Sequence, residues 1–242
     1  MLPHKSNRGV IFLKERDFFT GSQNPFGIIS CMRYNANFRR LNPDYFEPDG
    51  IWTFCGAQGS GKTLSMVQTL LAVAEAYPKA QICSNLQIHG LDRDIIPFVD
   101  YAQISELTNG IQGIIFCIDE VQTIWNCMES RNIPISELST LCQNRKDRRL
   151  VLCTSQVYGR VAKPIREQYK YVILCRNILK YIQFNTVVDP CSGDYTSEDD
   201  GHFCGEIVKK SLFFHSPRAY MSYDTYNKIE RITRKTSERR YL

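Results

Sequence analysis

The octapeptide at residues 56–63, GAQGSGKT, constrains the fold of this 242-residue chain more than any other feature of the sequence. It matches the pattern GxxxxGK[ST] in full, follows the apolar segment IWTFC and opens a segment with apolar residues at helical spacing. Glycines let backbone N–H groups turn towards a phosphate, and the helix N-terminus adds its positive dipole. The motif therefore predicts a nucleotide-binding loop. Its residues are Gly56, Ala57, Gln58, Gly59, Ser60, Gly61, Lys62, Thr63 and Leu64.

Two adjacent acids at the end of an apolar segment complete the predicted phosphate chemistry. Lys62 is expected to neutralise the β- and γ-phosphate oxygens of ATP, and Thr63 to offer its hydroxyl to Mg²⁺. In IIFCIDE, Asp119 is predicted to reach the Mg²⁺ shell, and Glu120 to orient and deprotonate the attacking water. A strand can also end in acids merely because it has reached solvent.

Strand-like and helix-like segments alternate from residue 51 to about residue 175. IWTFC, AQICSN, GIIFCIDE, RLVLCTSQ and YVILC are predicted strands, and their continuous apolarity predicts a mostly parallel sheet flanked by helices. Further on, KYIQFNTVVD and HFCGEIVKKSLFFH alternate with period two, which predicts an antiparallel hairpin, with a final helix at YDTYNKIERI. The predicted organisation is an N-terminal extension (1–48), which we expect to pack on or near the core, an ATPase core (49–180), and a C-terminal hairpin and helix with a basic tail (181–242).

The class of nucleotide chemistry follows from the residues downstream of the loop. A GTPase switch would carry an N-K-x-D motif, but the nearest match, at residues 144–147, has its lysine one place too late. A metabolite kinase would not need a water-activating glutamate. The pair of acids favours hydrolysis, hence ATP used for mechanical work.

The segment QNRKDRRLVLCTSQ adds two candidate residues. Gln156 ends the strand after the acidic pair, where its amide can lie beside the γ-phosphate. Arg145 lies eleven residues earlier, at the predicted exposed end of a helix opened by Pro134. An arginine there is poorly placed for its own phosphate but could reach that of a neighbouring subunit, as an arginine finger acting in trans. The alternative is that RKDRRL is a run of solvated charges at a helix end.

The ordered set GAQGSGKT, a strand running into SN, IIFCIDEVQ, an arginine eleven residues before TSQ, and KPIR resembles the zonula occludens toxin (Zot) domain. That phage assembly and DNA-export ATPase family belongs to the FtsK–HerA group, which includes viral DNA-packaging ATPases. The resemblance covers roughly residues 50–180 and, more weakly, YDTYNKI. It implies an additional-strand (RecA/FtsK-like) P-loop NTPase, a homo-oligomeric ring and DNA as the moved substrate. It also implies that Gln156 is a polar sensor, Arg145 the finger, and Arg166 a further candidate at the subunit interface.

The chain differs from filamentous-phage Zot proteins, which begin close to the glycine loop and carry a membrane span after the ATPase domain. About fifty residues precede this loop, and no apolar run approaches the ~18 residues of a span. We therefore expect a DNA-packaging or DNA-transfer motor in the bacterial host cytoplasm that does not itself span a membrane. It would use ATP and Mg²⁺ and contact DNA backbones without reading sequence, with a capsid portal or membrane assembly protein as a further partner. The alternatives are a filamentous-phage-type extrusion ATPase with a separate membrane partner, and a non-motor scaffold ordered by ATP.

The ten cysteines do not indicate a disulfide framework. Five of them lie in apolar strand-like segments, where a reduced cysteine acts as a small buried hydrophobe. Cys191, His202 and Cys204 are the best zinc ligands in the sequence, but their irregular spacing is a weak signal and leaves metal binding open.

Overall fold

The structure is a computed structural model that describes residues 26–100, 102–128, 133, 135–190 and 205–223. The chain divides into two compact units, which meet in the sequence between Pro43 and Asp44. In the first unit, helix α1 spans Phe26–Leu41 and carries Arg39 and Arg40 in its last turn, where basic side chains interact favourably with the helix dipole. The predicted N-terminal extension therefore contains a long helix that the sequence analysis does not identify.

The second unit is built on a sheet of eight strands in the order β3-β2-β4-β5-β1-β6-β7-β8. In this spatial order, the six strands that begin with β3 and end with β6 are parallel to one another. Strand β7 runs antiparallel to both β6 and β8. The mostly parallel sheet and the C-terminal hairpin are confirmed, and the hairpin extends the main sheet. The strands are β1 Gly50–Cys55, β2 Gln81–Ser84, β3 Ile95–Pro97, β4 Ile114–Ile118, β5 Arg149–Ser155, β6 Tyr169–Ile178, β7 Ile182–Asp189 and β8 Glu206–Phe214.

Two apolar cores cover the two faces of the sheet. On one face, helix α2 (Lys62–Ala76) packs Met66, Val67 and Leu70 against β-strand residues such as Phe54. Trp125 and Ile165 belong to the core of the other face. Every residue of β4 and β5 is buried, which explains the apolar sequence of β4 and of residues 150–153 in β5. The remaining helices are α2 Lys62–Ala76, α3 Ala102–Glu106, α4 Ile135–Cys142, α5 Lys163–Arg166 and α6 Pro217–Met221, with short 3₁₀ helices at Gly110–Gln112, Val121–Thr123 and Tyr158–Arg160.

Strand β5 lies between β1 and β4, so the structure contains the additional strand that the resemblance implies. The register pairs Gly50 with Leu150, and Ile118 with Cys153. Because the three strands are parallel, their carboxyl ends meet at one edge of the sheet, where ligands of open α/β sheets bind. We call this edge the phosphate edge.

Three further elements differ from the sequence prediction. Strand β3, Ile95–Pro97, has three residues and ends in proline, so it is too short to show a period. Helix α6, Pro217–Met221, is also missed, and helix α4 ends at Cys142, with turns following it, rather than continuing to Arg145. The predicted helix at YDTYNKIERI, apart from Tyr223, lies outside the described residues, as does the basic tail.

The basic run RKDRRL is not a uniform charged surface. Arg149 is 1% exposed and forms an ion pair of 3.3 Å with Asp147. The guanidinium of Arg148 lies 4.6 Å from the ring centroid of Tyr45, a cation–π contact. The interpretation of this run as solvated or DNA-contacting charge is therefore wrong for Arg149, and the exposed members are Arg145 and Lys146.

The five strand cysteines are buried and reduced, as predicted. Burial raises the pKa of the Cys55 thiol to about 11 and that of Cys83 to about 12. Such thiols stay protonated at neutral pH and contribute as apolar groups. The five are Cys55, Cys83, Cys117, Cys153 and Cys175.

Candidate functional site

The glycine loop connects β1 to α2 at the phosphate edge. A turn closes it, with the Ser60 N–H donating to the Ala57 carbonyl at 3.1 Å, and the first helical hydrogen bond runs from Ser65 N–H to the Gly61 carbonyl at 2.9 Å. Gly61 is the N-cap of α2, with φ +80°, and Gly59 has φ +77°. Both conformations are ones that residues with a Cβ rarely adopt. Leu64 is buried in the core beneath, so the loop is anchored at its helical end.

Lys62 lies at the start of α2 and folds back over the loop. Its side chain is 7% exposed, and Nζ donates to the Ala57 carbonyl at 3.1 Å. A buried ammonium needs such a partner, and the exchange of this one carbonyl for phosphate oxygens would strengthen its hydrogen bonding. The lysine is held where a phosphate bound in the loop would meet it.

Thr63 and Asp119 come together across the phosphate edge. The Thr63 hydroxyl donates to Asp119 Oδ1 at 3.1 Å, and the Thr154 hydroxyl donates to the same oxygen at 2.6 Å. A hydroxyl beside a carboxylate is a set of oxygen ligands that suits a hard cation such as Mg²⁺. The two residues predicted to hold Mg²⁺ are therefore adjacent, and their chemistry fits the ion.

Burial raises the pKa of the Asp119 carboxyl above its ordinary value of 3.8. The hydrogen bonds from Thr154 and Thr63 and the charge of Lys62 oppose this shift, whereas the neighbouring Glu120 adds to it. A buried carboxylate with a raised pKa gains most from a bound cation, because the cation favours its charged form. The surroundings of Asp119 thus disfavour its charged form when no cation is bound.

Asn85 and Thr154 fix the backbone around the two acids. Asn85, just past β2, accepts from the Asp119 N–H at 2.8 Å and donates to the Asp119 carbonyl at 3.0 Å. The Thr154 hydroxyl accepts from the Glu120 N–H at 2.8 Å. Sequence reasoning did not assign a role to either residue, although both belong to the quoted motifs SN and TSQ at strand ends.

Glu120 and Gln156 lie within hydrogen-bonding distance of each other, a contact that the sequence does not predict. The Gln156 amide nitrogen is 3.3 Å from each carboxylate oxygen of Glu120. The amide of Gln122, a residue that the sequence analysis did not assign, also donates to this carboxylate. Glu120 has φ +55°, an uncommon left-handed conformation that turns the chain directly after Asp119. Two amides therefore orient the carboxylate predicted to activate water.

Arg145 lies at the opposite edge of the sheet. It precedes the first residue of β5 by four positions, whereas Gln156 follows the last. Seven strand residues separate the two edges by roughly 20 Å. The Arg145 side chain is 92% exposed, and its Nε lies 4.0 Å from Asp49. Arg145 therefore cannot reach the phosphate loop of its own subunit.

Arg166 ends α5, before β6 begins. Its guanidinium lies 5.1 Å from the ring centroid of Tyr158. This contact places Arg166 against its own subunit's surface, and its candidate role at an interface remains a prediction.

The candidate zinc ligands Cys191, His202 and Cys204 lie outside the described residues. In the part of the chain that is described, no group of three or more His, Cys, Asp or Glu side chains could hold a metal ion. Within the same residues, no helix is long and apolar enough to cross a membrane.

The fold is that of an additional-strand P-loop NTPase. The N-terminal domain of zonular occludens toxin from Neisseria meningitidis is similar to this chain, with a TM-score of 0.51 and 16% identity over 72% of this chain and 98% of that domain. The genome-packaging NTPase B204 from Sulfolobus turreted icosahedral virus 2, in complex with ATP-gammaS, gives a TM-score of 0.47 and 12% identity over 70% of this chain and 98% of B204. At these identities the similarity concerns the fold alone, and the Neisseria domain confirms the predicted Zot-like fold. No protein-family model matches the sequence, and the comparison with curated proteins gives no match either.

Proposed function

We propose that this chain is an ATP hydrolase that assembles as a ring and moves DNA for a phage or another mobile element. The observation that carries the hydrolase proposal is the meeting of three strand ends. They place Thr63, Asp119 and the Glu120–Gln156 pair beside one phosphate loop. A nucleotide-binding protein without hydrolytic chemistry would need the loop but not the oriented glutamate.

The residues divide the proposed reaction between binding and proton transfer. The loop N–H groups and Lys62 would bind the β- and γ-phosphates of ATP. Mg²⁺, held by Thr63 and Asp119, would neutralise charge that develops on the phosphate oxygens. Glu120 would orient the attacking water and accept its proton, a contribution of about 10²–10⁴-fold in rate. Gln156 would hold the Glu120 carboxylate in place.

The ring proposal rests on Arg145. Its exposed side chain lies at the edge of the sheet opposite the loop, so it can serve only a neighbouring subunit's phosphate. A head-to-tail ring places unlike surfaces of adjacent subunits together, so the Arg145 edge can face the neighbour's phosphate edge. An arginine supplied in trans is worth about 10³–10⁵-fold in rate.

DNA is proposed as the substrate because of the motif order shared with Zot domains. The exposed Lys146 is among the residues that could contact phosphate backbones without reading bases. The proposed location is the host cytoplasm, where a capsid portal or a membrane assembly protein would receive the moved DNA.

Steady-state ATP hydrolysis with and without DNA tests this function. Single- and double-stranded DNA are separate arms, Lys62→Ala is the control for contaminating activity, and the mass in solution is compared with the 28.0 kDa chain. We expect the wild type to hydrolyse ATP faster when DNA is added and to form a species of several subunits. A wild-type rate equal to that of Lys62→Ala would contradict the hydrolase proposal, and a rate indifferent to both DNAs would support the non-motor scaffold instead.

A further inference from the structure

At its start, strand β7 buries two polar residues and leaves the apolar residues that alternate with them partly exposed. Gln183 is 0% exposed and Asn185 is 6% exposed. Their neighbours Ile182 and Phe184 are half-buried. A strand that only completed a core would place its residues the other way round, because burying an amide costs free energy unless its hydrogen bonds are made.

The two buried amides form hydrogen bonds with the phosphate loop and with α2. Gln183 Nε2 donates to the Ser60 carbonyl at 2.9 Å and to Asn185 Oδ1 at 3.0 Å. Asn185 Nδ2 in turn donates to Ser65 Oγ at 3.1 Å. The C-terminal hairpin is therefore connected by side chains to the loop and to the helix that follows it.

The contact with Ser60 acts on a peptide of the proposed phosphate-binding loop. The Ser60 carbonyl and the Gly61 N–H belong to one planar peptide unit and point to opposite sides of it. A hydrogen bond to the carbonyl fixes the plane and makes the N–H a stronger donor, since hydrogen bonds in a chain polarise one another. Gln183 also fills the space beside Gly61, where an added Cβ would lie 2.8 Å from its carboxamide carbon. One side chain thus holds the peptide in place on two sides.

We propose that Gln183, supported by Asn185, is a positioning residue that holds the Ser60–Gly61 peptide in its phosphate-binding orientation. This inference rests on the proposed nucleotide binding and extends it to the C-terminal hairpin. A consequence is that the hairpin and the phosphate loop are coupled. Whatever shifts β7 changes the affinity for phosphate, and bound phosphate stabilises the attachment of β7.

The test compares ADP affinity with stability in two variants of β7. Gln183→Met keeps the length of the side chain and removes the donor, while the control Val188→Ala opens a cavity at a buried residue in the same strand. We expect Gln183→Met to raise the dissociation constant of ADP about tenfold, the effect of one lost hydrogen bond. Val188→Ala should lower the melting temperature and leave the ADP constant within about twofold.

A second variant and a spectroscopic measurement separate positioning from general destabilisation. Gln183→Asn retains the carboxamide but is one carbon too short for the Ser60 carbonyl. It should therefore lose the same ADP affinity even if Gln183→Met fails to fold. In either variant that folds, the Gly61 amide proton resonance of the ADP complex should move upfield, as expected for a weakened donor.

The outcomes distinguish this inference from the proposed function. If Gln183→Met or Gln183→Asn binds ADP as tightly as the wild type does, the inference is overturned and the proposed function is unaffected. Equal losses of affinity in Gln183→Met and Val188→Ala overturn the inference as well. Wild-type protein that binds no ADP overturns the nucleotide site and the inference together.

Discussion

Two glycines of the phosphate loop offer a matched pair for measuring what Gln183 contributes to stability. Gly59 and Gly61 have nearly the same backbone conformation, with φ +77° and +80°. An alanine in this conformation costs about 1–2 kcal/mol at either site. A Cβ on Gly59 would have no atom within 4 Å, whereas a Cβ on Gly61 would overlap the Gln183 carboxamide. Relief of the overlap would break the two hydrogen bonds of Gln183 Nε2, each worth about 1 kcal/mol.

We therefore expect Gly59→Ala to lower the free energy of unfolding by about 1–2 kcal/mol, and Gly61→Ala by about 3–4 kcal/mol. Urea unfolding at neutral pH measures both differences. In a Gln183→Ala background the extra cost of Gly61→Ala should disappear, because the overlapping carboxamide is gone. Equal costs for the two alanines in the wild-type background would refute the account of how β7 packs on the loop.

Three further predictions concern the acids and the finger. Thr154→Val should lower the free energy of unfolding in urea by about 1–3 kcal/mol and slow ATP hydrolysis, because Asp119 and the Glu120 N–H lose a hydrogen-bond partner. Thr154→Ser keeps the hydroxyl and should do neither. Identical behaviour of the two variants would contradict the role given to the Thr154 hydroxyl. Burial raises the pKa of Asp119 in the folded state, so folding favours the protonated carboxyl. The contribution of this protonated carboxyl to the free energy of unfolding is lost as pH rises through the folded-state pKa. Asp119→Asn should therefore melt higher than wild type at neutral pH, with a gap that narrows as pH falls towards 3.8, and a gap independent of pH would count against this. Arg145→Ala should bind ATP normally and hydrolyse it about 10³-fold more slowly, yet recover partial activity when mixed with Lys62→Ala; mixed assemblies that stay inactive would return Arg145 to the status of a surface charge.

The sequence was sufficient to predict the parts of the site that depend only on the local order of residues along the chain. The loop residues are contiguous. Asp119 and Glu120 follow one apolar strand, and Gln156 follows another. Parallel strands bring their carboxyl ends to one edge whatever the order of the strands. The meeting of these residues could therefore be predicted without knowledge of the topology.

The contacts of the remaining site residues depend on the order of the strands in the sheet and on the face to which each side chain points. Thr154 reaches Asp119 because β5 is adjacent to β4, and Asn85 does so because β2 is on the other side. The alternation of β7 gives two possible faces, and only its attachment to β6 buries Gln183 rather than Phe184. The burial of Arg149 also depends on strand order, since a basic run resembles a solvated surface, and Arg149 is buried because it begins β5, which lies between β4 and β1.

ATP hydrolysis by Glu120→Gln tests the central claim most directly. The substitution keeps the size of the side chain and its contacts with the two amides, and removes the base that would accept the water's proton. We expect the dissociation constant of ATP to stay within a few-fold of wild type while single-turnover hydrolysis falls by a factor of about 10² or more. An unchanged rate of hydrolysis would contradict the claim and would make Glu120 an acid that merely ends a strand.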